Sequence, residues 1–412
     1  MTFINQGVIS IADQGFFSGT NFVFSLLLGR WLIADDYGVF SVASSIFLLF
    51  SGIFSALILE PLSVYGAKKQ NQEIGYFSSV ILLHVLLSLT VVTIFSFSTL
   101  FIRELQSVTI RIMVLCAPFI LLFWLVRRRD YSNLRPSASL IKSIIFSIGT
   151  IGLLILFYQA KTLNSSSYFL IVAGMSVMIS IPVLLNTGKP KIVLIIEVAG
   201  KHWGYGKWIA LAGLLQWSSS QIYTIWVASY ISLSDSAGFR AIQNFSQPLE
   251  QITTALSLFL IPWFSNKINV QNQKKMLNQM SIVSLLMGIL GIGYLGLIIL
   301  NQDQILSYVY QNRYADYSWL FPILLCVPIV LSLSQGAQIG IRIMEKTNIL
   351  LIPYAISSLF TFFIGPTMIF KFGLLGAATG RLISAVLFSL TLSILYVISI
   401  KKDKHYGQKV EI

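Results

Sequence analysis

Twelve apolar runs, each about as long as a helix must be to cross a bilayer, limit what this chain can fold into. They lie near 9–33, 38–64, 75–101, 108–126, 138–158, 167–186, 207–231, 238–264, 279–300, 319–341, 348–370 and 373–398. Only 10% of the 412 residues are charged and 56% are hydrophobic, whereas a soluble domain carries about 25% charged residues. One water-soluble core cannot hold such a chain, so the class is polytopic membrane protein. A span in lipid must satisfy its own backbone hydrogen bonds, which predicts an all-α fold. Prolines fall inside the runs (Pro61, Pro118, Pro248, Pro262, Pro328, Pro353 and Pro366). A proline removes a donor and kinks a helix. That suits spans that bend during a cycle, and it is also simply tolerated in membranes.

The basic residues orient the runs. With the N-terminus inside, twenty of the 28 Lys and Arg fall in cytoplasmic segments, among them Lys68, Lys69, Arg127–Arg129, Lys189, Lys191, Lys274, Lys275 and Lys401. Both termini are therefore expected to face the cytoplasm. The exceptions are Arg30, Arg103, Arg111, Lys161, Arg240, Arg313, Lys371 and Arg381. The net charge of +13 belongs to this topology and to anionic lipid rather than to a nucleic-acid partner. The opening MTFINQG lacks a basic n-region, so the first span is expected to be retained. Cys116 and Cys326 both sit in apolar runs and suggest no metal site.

A faint repeat divides the chain. Asp35–Gly38 matches Asp235–Gly238 at an offset of 200, and Pro61 matches Pro262 at 201. Leu115–Pro118 matches Leu325–Pro328 at 210. Six spans return the chain to its starting side, so the repeat is parallel, and such repeats place a substrate site between the halves. The expected organisation is an N-terminal six-helix bundle (1–186), a cytoplasmic linker (187–206), a C-terminal six-helix bundle (207–398) and a basic tail (399–412). The linker's apolar patch is too short to span and reads as an interfacial helix or a strand-like turn.

Three stretches carry a resemblance: DQGFFSGTNFVFSLLLGRWLIADDYGVF, RRRDYSNLRP after span four, and FGLLGAATGRL opening span twelve. With these the chain resembles the polysaccharide-type (Wzx-like) flippases of the multidrug/oligosaccharidyl-lipid/polysaccharide exporter superfamily. The resemblance implies two six-helix bundles forming a V around a central cavity. It implies transfer of undecaprenyl-diphosphate-linked oligosaccharide, such as an O-antigen unit, from the inner to the outer leaflet of a bacterial inner membrane. A polysaccharide polymerase and a chain-length regulator would be its partners. No cofactor is expected beyond a coupling H⁺ or Na⁺.

Such a substrate needs a hydrated, cation-lined path, and arginine suits phosphate because its planar fork donates paired hydrogen bonds. Arg30, Arg111, Arg240 and Arg381 are the candidates; each would otherwise snorkel to headgroups. Asn21 on span one and Gln216 on span seven lie on polar flanks suited to sugar hydroxyls, or to helix packing. Asp13, Glu60 and Glu250 are candidates for ion coupling, or for ion pairs that fix packing. His84 reads as a neutral helix–helix group or a proton relay. The Arg127–Arg129 cluster with Tyr131 reads as a topology determinant or a diphosphate contact. There is no P-loop, HExxH or nucleophile elbow, so no enzyme is expected. The rivals are a multidrug or small-cation antiporter of the same fold, a membrane polysaccharide polymerase or ligase, and a non-transporting scaffold.

Overall fold

The computed structural model describes residues 3–66, 73–98, 107–188, 192–267, 273–344 and 346–410. Lys68, Lys69, Arg103, Lys189 and Lys191, used above for orientation, lie outside them. Among the described residues the chain is helical, with no strand.

The first six runs become α1 (Phe3–Trp31), α2 (Ala34–Phe54) with α3 (Glu60–Gly66), α4 (Glu73–Ser98), α5 (Val108–Ser132), α6 (Pro136–Gln159) and α7 (Ser165–Leu185). Run seven is α8 (Ile192–Ser220) and α9 (Ile222–Tyr230); run eight is α10 (Leu233–Gln243) and α11 (Gln247–Lys267). Then come α12 (Gln273–Leu300), the short α13 (Gln302–Tyr310), α14 (Leu320–Leu333), α15 (Gln335–Ile343) and α16 (Leu351–Val410). Eight stretches among the described residues are long and apolar enough to cross a membrane, and one of them, Thr347–Ile400, covers two runs. The runs outside that set are 9–33, 207–231 and 238–264, which hold Asp13, Asn21, Arg30, Gln216, Arg240 and Glu250. The chain is an all-α, multi-pass membrane protein. The stretch read as a linker is helical from Ile192 and continues unbroken into span seven.

Local chemistry sets the breaks. α16 is two helices that reverse at Gly373, whose φ of 57° and ψ of −133° belong to a region only glycine enters freely. A π-helical turn, Ser55–Leu59, joins α2 to α3. It ends just before Pro61, whose ring cannot sit against the carbonyl four residues back. α7 opens with a capping box: the Asn164 side chain accepts from the Ser167 N–H, and the Ser167 hydroxyl accepts from the Asn164 N–H. Asp36 of α2 accepts from the Ser165 N–H at 2.9 Å, holding the same helix start.

The described chain forms two compact units, Met1–Trp217 and Ser218–Ile412. The first packs Phe54, Leu59 and Leu62 against Phe77, Val80, Leu121, Leu125 and Val198. In it α8 runs antiparallel along α2. Trp217 Nε1 donates to Ser45 O at 2.7 Å. A Cβ on Gly206 would come within 2.3 Å of Ala56 O, and His202 reaches Leu57 O at 2.9 Å. The second packs Met276, Met280 and Met287 against Ile339, Ile341, Leu392 and Tyr396. The repeat has an echo in hydrogen bonds: Tyr37 O–H donates to Ser25 O at 3.1 Å and Ser236 Oγ to Thr224 O at 3.0 Å, each spanning twelve residues.

Candidate functional site

Span eight is interrupted where its charges sit. Pro248 lacks the N–H that Asn244 O would take in an α-helix, and the Gln247 N–H serves that carbonyl instead in a tighter turn over Asn244–Ser246. One span thus becomes two helices, with Arg240 in the last turn of α10 and Glu250 in the first turn of α11. Each charge lies at the helix end whose dipole favours it. Tyrosines cover the carbonyls beside the break: Tyr310 O–H donates to Ala241 O at 3.3 Å, and Tyr294 O–H to Phe245 O at 2.8 Å. Asn244 Nδ2 donates to Tyr310 Oη at 3.1 Å.

Arg381, eight residues beyond the reversal at Gly373, joins this site from α16. Arg240 and Arg381 are both buried, with relative exposures of 8% and 6%. Glu250 is half-buried and within electrostatic reach of both. Among the described residues it makes no direct ion pair with either arginine. The Nε of Arg240 and the Nε and Nη1 of Arg381 have no hydrogen-bond partner there. Tyr223 of α9 is fully buried beside Arg381. Its hydroxyl lies 3.2 Å from Ser384 Oγ, which lies 2.8 Å from Thr361 Oγ1. Two guanidiniums face one carboxylate, leaving one positive charge in excess. A buried N–H without a partner is unfavourable by about 1–3 kcal/mol and is rare in folded proteins. This arrangement suits an anion with several acceptor oxygens.

A second charged cluster lies in the first unit. Asp13 is fully buried. Its Oδ2 accepts from Arg127 Nη2 at 2.8 Å, from Ser139 Oγ at 2.7 Å, and from the Tyr131 hydroxyl. The Arg127 guanidinium also lies 3.9 Å from the centre of the Phe17 ring. Arg127 therefore faces inward to a carboxylate, while Lys142 pairs with Asp130 at 2.5 Å. The cluster joins α1, α5 and α6.

The other candidates enter neither cluster. Arg30 is half-buried late in α1, and Arg111 is exposed at the start of α5. Asn21 is exposed, with its Nδ2 donating to Phe17 O at 3.0 Å. Gln216 is exposed on α8. Glu60, half-buried at the start of α3, lies within electrostatic reach of Tyr205. His84 is buried against Phe54, with ring centres 5.2 Å apart.

His202, which no motif in the sequence marks, also has a defined place. It is buried at 3% exposure. Leu57 O is the carbonyl that an N–H at position 61 would serve in an α-helix, and Pro61 has none. His202 Nδ1–H donates to it, which leaves Nε2 to accept from Tyr76 O–H at 2.9 Å. Burial pushes the imidazole down to about 4, so the ring is neutral. The pairing was readable only as a proline at 61 with a histidine far along the chain.

No family model and no curated protein sequence matches the chain. Solved structures do. A multidrug resistance MATE family transporter of the MOP superfamily, inward-facing, aligns with a TM-score of 0.75 at 11% identity, over 94% of this chain and 95% of that one. The lipid II flippase MurJ aligns with a TM-score of 0.73 at 14% identity, over 98% and 92%. A eukaryotic MATE transporter aligns at 0.57 and 15% identity, over 97% of each. The chain has the fold that these transporters share, over 94–98% of its length.

Proposed function

We propose that this protein is a flippase that carries an undecaprenyl-diphosphate-linked oligosaccharide, a building unit of a surface polysaccharide, from the inner to the outer leaflet of a bacterial inner membrane by alternating access. The observation that carries this reading is the pair of buried arginines, Arg240 and Arg381, with unpartnered N–H groups beside a single carboxylate. Excess positive charge in an apolar bundle suits a diphosphate and opposes a cationic drug. The fold, shared with a lipid II flippase, supports the same reading. Arg30 and Arg111 assist the headgroup, Asn21 and Gln216 meet sugar hydroxyls, and Asp13, Glu60 and Glu250 serve coupling to H⁺ or Na⁺. A polymerase and a chain-length regulator act on the delivered unit, and both termini face the cytoplasm.

Deleting the gene should trap lipid-linked oligosaccharide in the inner leaflet, and the wild-type chain should release it. Arg381→Gln should restore export about tenfold less well at equal protein level, as the loss of a charge-assisted hydrogen bond implies. Normal export in the deletion strain would overturn the proposal. The likeness to multidrug MATE transporters favours a second reading, drug export, which drug resistance on overexpression would support.

A further inference from the structure

Three charges meet in the second unit, and their sum is informative. Arg240, Arg381 and Glu250 together carry one positive charge in excess, in a place where charge is poorly solvated. A diphosphate that links a sugar to a lipid carries roughly one negative charge per phosphate. Two arginines match it. Two arginines with Glu250 do not: the loaded site would hold one uncompensated negative charge. Glu250 therefore offsets one of the two positive charges when the site is empty of anion and opposes the anion when it arrives.

The geometry is built for such an exchange. Glu250 attracts both arginines without pairing directly with either. It sits on a different helix from each of them. The turn at Asn244–Ser246 separates it from Arg240, and the reversal at Gly373 lies between α11 and Arg381 in the chain. Glu250 is half-buried, whereas the arginines are buried at 8% and 6% exposure. A change in the angle at the Asn244–Ser246 turn would carry Glu250 away from Arg240 without unfolding either helix.

We propose that Glu250 is a resident counter-anion for Arg240 and Arg381, and that the diphosphate of the substrate displaces it, so that loading the site and releasing Glu250 are one event. This inference rests on the reading of the arginine pair as the diphosphate site. It adds that the carboxylate competes with substrate rather than helping to hold it. A purely structural triad makes the opposite demand, since removing Glu250 would then loosen the arginines and weaken the site.

The test uses the full-length protein in detergent and inorganic pyrophosphate as the probe, with binding read by calorimetry. Arg381→Gln and Arg240→Gln should each lose pyrophosphate binding. Glu250→Gln should bind it at least about tenfold more tightly, as removal of one nearby like charge implies. Unchanged or weaker binding by Glu250→Gln, with binding still lost in the arginine variants, would overturn the competition and leave the anion site standing. Binding indifferent to both arginines would overturn the site itself. A second measurement needs no variant. In the wild type, pyrophosphate should raise the labelling of Glu250 by dicyclohexylcarbodiimide, read by mass spectrometry, because displacement exposes the carboxyl. Labelling that falls or stays constant would overturn the displacement.

Discussion

Asp13 is visible in the sequence as an acid inside a span and Arg127 as part of the basic cluster after span four, but their partnership is not. They stand 114 positions apart, and hydropathy holds no information on which helices touch. In the structure one carboxylate oxygen serves Arg127, Tyr131 and Ser139. Breaking a buried pair from one side strands the other charge, which typically destabilises by about 3–5 kcal/mol, whereas replacing both partners with apolar groups is often neutral. Asp13→Asn is therefore expected to lower the unfolding temperature in detergent clearly, and Asp13→Leu with Arg127→Met to recover most of the loss. An unchanged melting temperature in Asp13→Asn would show that the pair contributes nothing to stability. The arginines of the second unit were likewise visible one by one. Their company with Glu250 depends on a turn that Pro248 creates and on a reversal at Gly373, neither of which a charge pattern reveals.

At the scale of elements, hydropathy predicts helices well because a lipid-facing backbone has no alternative to bonding within its own segment. It predicts their interruptions poorly, because prolines at 61, 118, 248 and 328 look alike in sequence. Pro118 and Pro328 lie within unbroken helices, whereas the others accompany a π-helical turn and a tight turn. At Pro61 the consequence crosses from α2 to α8 through His202. That histidine is held neutral, with its folded value near 4 against 6.5 for a free imidazole. A group depressed on folding stabilises the fold above its unfolded value, and the contribution is lost as pH falls through the folded one. Between pH 6.5 and 4 the wild type should therefore lose up to about 3 kcal/mol that His202→Gln does not lose. Thermal melts of both proteins across that range check it. Parallel curves would mean that His202 does not titrate with unfolding.

On the scale of the whole molecule, the apolar runs, the all-α fold and the repeat were legible in sequence, and the likeness to transporters with identities of 11% and 14% shows how little residue identity the fold demands. The repeat is loose for a physical reason. The aligned positions do local work that differs between halves: Asp36 holds the start of α7, while its counterpart at the offset of 200, Ser236, donates to Thr224 O at 3.0 Å. The helix through Asn21 is continuous, whereas span seven is broken at Gln221, which stands at the offset of 200 from Asn21. Among the described residues, the polar spans 9–33, 207–231 and 238–264 are the runs that form no helix both long and apolar enough to cross a membrane.

The stretch from Asn301 to Ser318, the eighteen residues between the runs at 279–300 and 319–341, matters for anyone who wishes to attach something to this protein. It is folded rather than slack. Leu306, Tyr310 and Tyr314 are buried, and the chain passes through left-handed residues at Gln311 and Asn312. Tyr310 also supports the break in span eight. An epitope tag or reporter inserted there would push on Arg240 and Glu250 from behind. The shorter connection at Lys161–Asn164, three of whose residues are exposed, offers the better place for a label that must leave the protein working.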